Sequence, residues 1–333
     1  MRDDRYGVEI LGSGSAVPPG TLSNHDLEQM IDTSDEWIRQ RTGVRIRHKC
    51  DPDKGEGTLS LSTEAMRRAL ENAKVDAREL DLLIVASVTG EMSFPSTACR
   101  VTDALGAAPA GAFDVLAACS GFVYGLNLSE SLIASGRYET IGIVGCDAMS
   151  TVMDYSNRKT CVLFGDAAGA VVVRKTDDRN RGCMYQAMNA DGSGWHHLYC
   201  ARDPRHAPEG ADWNEVKLNY LQMNGPEVYK FAVQTFQKAL KDALEACHLS
   251  VGDIKMLIAH QSNARIIESA KQKMGLPDEK VIINIDEYGN SSAGSVPLCF
   301  DQLWRAGRIG PGDIVVMVAF GAGMTWASSV WRL

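Results

Sequence analysis

The stretch Ala112-Phe113-Asp114-Val115-Leu116-Ala117-Ala118-Cys119-Ser120-Gly121-Phe122 decides how this chain of 333 residues is read. An apolar run with the pattern of a buried strand gives way to small residues and then to a helical pattern. That predicts a strand-to-helix turn with a cysteine at its tip. A thiol placed there faces the positive end of a helix dipole, so the expectation is a lowered pKa and a nucleophilic thiolate. Farther along stand His260, in Ala259-His260-Gln261-Ser262-Asn263, and Asn290, in Tyr288-Gly289-Asn290-Ser291-Ser292-Ala293-Gly294. Cys, His and Asn together suggest acyl-thioester chemistry. A thiolate takes up the acyl group, while a neutral imidazole and a carboxamide donate hydrogen bonds to an oxygen that becomes negative.

The plan around Cys119 occurs twice. A strand at 81–87 and a helix closing near Leu105-Gly106 answer a strand at 254–259 and a helix from about Asn263 closing near Met274-Gly275. The run 112–115 leading into Cys119 answers Val281-Ile282-Ile283-Asn284, read as a further strand, leading into Asn290. Ile141 to Gly145 answers Asp313 to Val318, and Phe164 to Val171 answers Phe320 to Ala327. Four elements recurring in one order predict a duplication. Continuous apolar strands alternating with helices predict mixed sheets covered on both faces. A pseudo-twofold between the halves would bring Cys119 and Asn290 to equivalent places. The polar link Thr176-Asp177-Asp178-Arg179-Asn180 divides the chain into 1–176, carrying Cys119, and 177–333, carrying His260 and Asn290. Asp51 to Gly57 and Trp195 to Asn214 are read as surface excursions.

Hydrophobic content of 45% and charged content of 23% suit an ordinary globular protein. A formal net charge of -8 excludes the usual nucleic-acid binder, and any acidic partner must dock on a local basic patch. The charged start Met1 to Tyr6 has no apolar signal region and no run is long enough for a membrane span, so a cytoplasmic protein is expected. The nine cysteines lack any C-x-x-C pair and read as small buried hydrophobes, Cys119 excepted, in neither disulfides nor a zinc site. His196, His197, Cys200 and His206 fit no standard metal spacing. Gly12-Ser13-Gly14 has Val17 in place of the third glycine of a dinucleotide fingerprint. Thr33-Ser34-Asp35-Glu36-Trp37 reads as a capping box opening a short helix, and Trp37 with Arg39, Arg41, Arg45 and Arg47 suits a phosphorylated nucleotide. In Gly321-Ala322-Gly323 the backbone comes close to a ligand, so its N–H groups are expected to complete an oxyanion hole with the Cys119 amide.

Through Thr33 to Ile38, Arg41-Thr42-Gly43-Val44, Ala117-Ala118-Cys119-Ser120-Gly121, Leu163-Phe164-Gly165-Asp166, His260 to Ile267 and Gly289 to Ala293, the chain resembles the β-ketoacyl-acyl carrier protein synthase III family over nearly its whole length. The resemblance implies an α/β, thiolase-like fold of two duplicated mixed-sheet halves in α-β-α-β-α layers. It implies decarboxylative condensation of a short acyl-CoA primer with malonyl-acyl carrier protein, initiating fatty acid synthesis, with no cofactor beyond the coenzyme A thioester itself. By resemblance Cys119 is acylated, His260 and Asn290 hold the malonyl thioester carbonyl and its enolate, and the Cys119 and Ala322 amides form the oxyanion hole. Trp37 and Arg158 match positions that sandwich adenine, with Thr33, Arg41 and Asn263 nearby. Phe94 matches a residue that crosses a homodimer interface into the partner's acyl pocket. Lys230, Arg265 and Lys273 match the basic surface that receives acyl carrier protein.

Two departures bear on the substrate. Ala322 and Met324 stand where the family has glycine and phenylalanine, which leaves primer length open, and Ser262 replaces a usual alanine near the pantetheine path. A degradative thiolase needs a second cysteine in the 321–323 turn, and elongating synthases need a second histidine after His260; neither is present. A priming enzyme of polyketide or signalling biosynthesis shares the triad and differs in acceptor and pocket. A papain-like hydrolase orders Cys, His and Asn alike but lacks the duplication, and a noncatalytic acyl-binding protein would bind without turnover.

Overall fold

Long apolar runs build two sheets, described by a computed structural model over residues 6–212 and 216–333. Residues 1–5, and Trp213 and Asn214 at the end of the second expected excursion, lie outside the described residues. The first sheet contains β1 (Gly7–Ala16), β2 (Leu82–Ala86), β3 (Gly111–Val115), β4 (Thr140–Ala148) and β5 (Asp166–Thr176), in the order β1-β5-β4-β2-β3. The second contains β6 (Gly182–Ala190), β7 (Met256–Ala259), β8 (Ile314–Gly321) and β9 (Thr325–Arg332), in the order β7-β8-β9-β6. In the first sheet β2 runs parallel to β4, β4 antiparallel to β5, and β5 antiparallel to β1. The second repeats that pattern through β7, β8, β9 and β6. All of β4 is buried, as a continuous apolar strand requires.

The fifth strand expected at 281–284 is reduced to one parallel bridge between Val281 and Leu257. The Gln261 side chain takes the place of a strand neighbour. Its Nε2 donates to Ile282 O at 3.2 Å, its Oε1 accepts from Asn284 N at 3.0 Å, and the chain then turns into the short helix Ile285–Tyr288.

Helix α1 (Asp35–Thr42) lies against the helix at 264–274, while α2 (Thr58–Ala73) and α3 (Thr97–Leu105) cover the outer face of the first sheet. Helices α4 (Gly121–Ala134) and α7 (Ser295–Arg305) fill the space between the sheets, and α5 (Gly225–Ala246) and α6 (Ala264–Met274) cover the outer face of the second. The result is the α-β-α-β-α stack of a thiolase-like fold. One apolar core joins Ile84, Ile143 and Val171 of the first sheet to Ile258 and Met317 of the second through Phe122 and Phe300. Among the described residues no helix is long and apolar enough to cross a membrane.

Helices α4 and α7 each follow a single helical turn, at Ala118–Ser120 and Ser292–Gly294. Each turn opens on a left-handed non-glycine residue, Ala118 at φ +46 and Ser292 at φ +49. This geometry pairs Cys119 with Ala293 and corrects the expected pairing with Asn290, which lies three residues earlier. The two elbows are pressed together at Gly145 of β4, where a Cβ atom would fall 2.2 Å from Ala293 O and 2.8 Å from Phe122 Cβ. A second tie is Asp301 of α7, buried, which accepts from Ser13 Oγ at 2.9 Å and Ser15 Oγ at 2.6 Å on β1. Gly145→Ala is therefore expected to lower unfolding free energy by about 3 kcal/mol, the upper end of overpacking costs. Chemical denaturation should show it, with acylation of Cys119 slowed because its elbow is displaced.

Candidate active site

A cavity of about 650 Å³ runs from exposed Arg41 and Arg265 down to buried Cys119, His260 and Asn290, between walls that include Leu163, Phe164, Leu198 and Phe320. Leu198 and Met223, which also lines it, belong to a small two-stranded ladder, so part of the expected 195–214 excursion is a wall of this cavity.

Cys119 stands at the N-terminal end of α4, with Gly321 of β8 so close that a Cβ there would lie 2.6 Å from the Cys119 nitrogen. Its thiol pKa is pushed up to about 12 by burial, with the Asp147 carboxylate acting the same way. The Ser292 hydroxyl, donating to Sγ at 3.3 Å, and the cysteine's own amide pull it down. The resting group is thus a thiol. This corrects the expected lowered pKa: the helix terminus acts on a sulfur that has lost its water, and desolvation wins.

His260 follows β7, its amide donating to Val318 O at 2.8 Å. Its Nδ1 meets Ser295 Oγ at 2.7 Å, leaving Nε2 for the cavity, and its ring stands edge-on to Phe320 with centroids 5.4 Å apart. Burial lowers the imidazole pKa to about 3, so the ring is neutral at any working pH. Asn290 donates its amide to Leu163 O at 2.9 Å, and its Oδ1 accepts from Ser292 N at 2.9 Å. The carboxamide is thereby oriented with Nδ2 as the free donor. One segment, 290–295, thus orients His260, touches the thiol and carries the carboxamide. Ser292, Ser295 and Asp147 were missed by sequence reasoning, although the duplication carried a signal: the place in the second half that matches the nucleophile's elbow has to face it.

The expected nucleotide residues are partly gathered. Trp37, Arg41 and Asn263 line the cavity. Arg158 lies 4.5 Å over the Trp37 ring and donates to Asp32 O at 2.6 Å, in direct contact rather than as the far jaw of a clamp. A base between the two needs about twice the ~3.5–4 Å contact distance, so the guanidinium must swing aside. Thr33 is not a cap: Ser34 caps α1, accepting from Trp37 N at 3.1 Å, while the buried Thr33 Oγ1 has no partner. Asn263 is occupied in structure, accepting from Arg265 N at 2.9 Å and donating to Arg41 O at 3.0 Å, so it positions Arg41. Arg47 is removed from the expected nucleotide set, because it is buried with Nε and Nη2 on Val162 O.

Lys230 on α5 and Arg265 and Lys273 on α6 are exposed, and only Arg265 reaches the cavity lining. Phe94 is 84% exposed and lies outside this chain's cavity. Ala322 sits in the turn between β8 and β9 but is not part of the cavity wall, whereas Gly321 and buried Met324 are. Ser262 lines the cavity with a buried hydroxyl that has no partner. Cys99 and Cys200 are exposed, unlike the expected buried set, and none of the nine cysteines is in a disulfide. Among the described residues no group of three or more His, Cys, Asp or Glu side chains is placed to hold a metal.

Fold and cavity together define a condensing enzyme, an acyltransferase of the thiolase-like kind. Residues 113–192 match the model of 3-oxoacyl-[acyl-carrier-protein] synthase III, and residues 244–333 match that of its C-terminal part. The chain is 46% identical over 327 residues to β-ketoacyl-[acyl-carrier-protein] synthase III of Caldanaerobacter subterraneus subsp. tengcongensis, covering 98% of each. It is 44% identical over 325 residues to the enzyme of that name from Symbiobacterium thermophilum, again covering 98% of each. The crystal structure of the Aquifex aeolicus synthase III superposes with a TM-score of 0.91 at 37% identity, covering 98% of this chain and 100% of that one. The chain belongs to the β-ketoacyl-acyl carrier protein synthase III family.

Burial of His260 has a measurable consequence. Its folded pKa of about 3 lies below the ordinary 6.5, so between these values the unfolded chain binds the extra proton and stability falls as pH falls. His260→Gln is expected to flatten the decline of unfolding free energy over that window by several kcal/mol, measured by urea denaturation at a series of pH values.

Proposed function

We propose that the protein condenses an acyl-CoA primer with malonyl-acyl carrier protein through an acyl-Cys119 thioester, releasing carbon dioxide and a β-ketoacyl-carrier protein. The observation that carries this reading is the convergence of one thiol and two oriented neutral donors at the end of one apolar cavity. Acyl-CoA enters past Trp37 and Arg41, Cys119 takes the acyl group, and CoA leaves. Malonyl-carrier protein follows, its thioester carbonyl facing His260 Nε2 and Asn290 Nδ2. A hydroxyl has one proton, and Ser295 gives it either to Ser292 O at 2.9 Å or to His260 Nδ1 at 2.7 Å. When it goes to Nδ1, Nε2 carries the hydrogen and donates to the enolate oxygen as carbon dioxide departs. Removing one donor of this type costs about 2.7–4 kcal/mol of barrier. The enolate carbon then attacks acyl-Cys119. The protein groups these steps use all belong to this chain, and the reading needs no cofactor beyond the CoA thioester.

The same reading makes the exposed cluster of Lys230, Arg265 and Lys273 the landing surface for an acidic carrier protein. It makes Phe94 a wall of a partner's acyl pocket in a homodimer. Nine cysteines outside any disulfide suit a reducing cytoplasm. The Cys119 amide and the turn at Ala322 would receive the carbonyl oxygen of the acyl group, and Met324 would bound the primer. A second reading is favoured by the priming β-ketosynthase of the R1128 polyketide pathway, with a TM-score of 0.89 at 34% identity. The chemistry is then unchanged and the carrier protein differs, so turnover with carrier proteins of the two pathways separates the readings.

Cys119→Ala should abolish burst acylation by labelled acyl-CoA. His260→Ala and Asn290→Ala should still acylate while losing carbon dioxide release from malonyl-carrier protein by about 100-fold or more. Failure of a folded His260→Ala variant to acylate would make His260 the activator of the thiol and overturn this division of roles. Sedimentation analysis should find a dimer, and Phe94→Ala should alter primer preference without removing acylation. A fully active monomer would refute the shared pocket.

A further inference from the structure

The two elbows match place for place, and their side chains differ where the chemistry lies. Ala118 at φ +46 opens the first and Ser292 at φ +49 opens the second. The next place holds Cys119 in one and Ala293 in the other. The second elbow therefore has no thiol at its tip but carries a hydroxyl one residue before it. Ser292 is 1% exposed, and its Oγ donates across the contact between the halves to Cys119 Sγ at 3.3 Å. Among the described residues this is the one side-chain hydrogen bond to that sulfur. The remaining polar groups of the site are held by other partners, His260 Nδ1 by Ser295 Oγ at 2.7 Å and Asn290 Oδ1 by Ser292 N at 2.9 Å.

We propose that Ser292 is a catalytic residue of the acyl transfer, its hydroxyl being the donor that stabilises the Cys119 sulfur whenever that sulfur carries negative charge. This rests on the reading of Cys119 as the acylated nucleophile. A hydrogen bond to a neutral thiol or thioester sulfur is weak, whereas one to a thiolate is charge-assisted. The bond therefore gains strength as charge gathers on sulfur, which is the condition for an interaction to speed a step and not merely to tighten binding. In acylation the thiol gives its proton to water and the thiolate attacks the thioester carbonyl. The new C–S bond forms, the bond to the CoA sulfur breaks, and CoA leaves as a thiolate that takes a proton from water. In condensation the enolate carbon attacks the acyl carbon and the bond to Cys119 breaks. Its electron pair returns to Sγ, and Ser292 receives the thiolate until water protonates it. Serine keeps its own proton throughout. His260 and Asn290 serve the developing oxyanion, and Ser292 serves the sulfur.

The surroundings make this donor matter. Burial holds the Cys119 thiol far from ionising, and the Ser292 hydroxyl acts against that burial. The titratable groups that face the thiol are Asp147 of β4, whose carboxylate opposes ionisation of the sulfur, and His260 beyond β7, a neutral ring. Neither supplies a positive charge, so the serine hydroxyl is the side chain that answers the thiolate. The backbone of Ser292 works independently of its side chain: the amide holds Asn290 Oδ1, and the carbonyl accepts from Ser295 Oγ at 2.9 Å. Removing the hydroxyl thus leaves the bonds that orient the other two groups. Ala118 shows that alanine holds a left-handed backbone at the matching place of the first elbow.

The test is the rate at which iodoacetamide alkylates Cys119 in wild type, Ser292→Ala and Ser292→Gly, read by peptide mass spectrometry across the neutral pH range. It needs no CoA or carrier protein, so burst acylation tests the proposed function separately. Because the thiol proton goes to solvent, all three rates should climb about tenfold per pH unit. Both variants should run parallel to wild type and about 3- to 10-fold below it at every pH. The thiolate fraction falls tenfold for each unit by which the thiol pKa rises, and the more basic thiolate recovers about threefold of that loss. Glycine adopts the left-handed backbone without strain, so Ser292→Gly gives the reading if the alanine variant does not fold. A rate equal to or above wild type in the folded variants would overturn the proposal. So would a variant whose slope with pH differs from wild type, since the serine would then be moving a proton and not donating a hydrogen bond.

Discussion

The constraint on which the structure depends is the absence of space between two elbows. Gly145 carries no side chain because Ala293 O and Phe122 occupy the volume a Cβ would need, and Gly321 is bare for the same reason against the Cys119 amide. These contacts press the start of α4 against the start of α7 and fix the distance between the thiol and the segment 290–295. A residue with a side chain at either place separates the halves and, with them, the reacting groups.

Burial then decides the protonation of every group in the site. Desolvation leaves sulfur as a thiol and imidazole as a neutral ring, and it raises the pKa of the buried Asp147 carboxyl. Positions that keep charged forms at the protein surface here favour neutral ones, which suits a reaction whose charge appears only on an oxygen held by two donors. The enzyme avoids competition from an imidazolium that would pair with the malonyl carboxylate it has to release.

Much of this was legible because the duplication and the strand-end positions are sequence properties. The strands around Leu82–Ala86, Thr140–Ala148, Met256–Ala259 and Ile314–Gly321, the helices closing at Gly106 and Gly275, and the meeting of Cys119, His260 and Asn290 follow from apolar runs and glycine stops. What was not legible arises from contacts between distant residues. The Gln261 side chain ends a ladder that the apolar run Val281 to Ile283 would otherwise continue. Arg47 reads as a surface cation and is instead buried, its guanidinium held on the Val162 carbonyl 115 positions away. The thiol pKa was misjudged because a helix terminus is visible in sequence and the loss of water is not.

The Gln261 side chain has one more effect. A sheet with two unpaired edges can add neighbours on both sides, and chains so built grow into filaments. Here β1 and β6 lie against one another, Val8 N donating to Arg181 O at 3.3 Å, and the β7 margin is closed by Gln261 and the single Val281 bridge. Strand β3 is left as the open margin, with Phe113 and Leu116 exposed beside it. With one margin closed in this way, the fold has no second free edge from which a sheet could be extended, so the side chain that spoils the internal symmetry of the fold also limits how far its sheets can propagate.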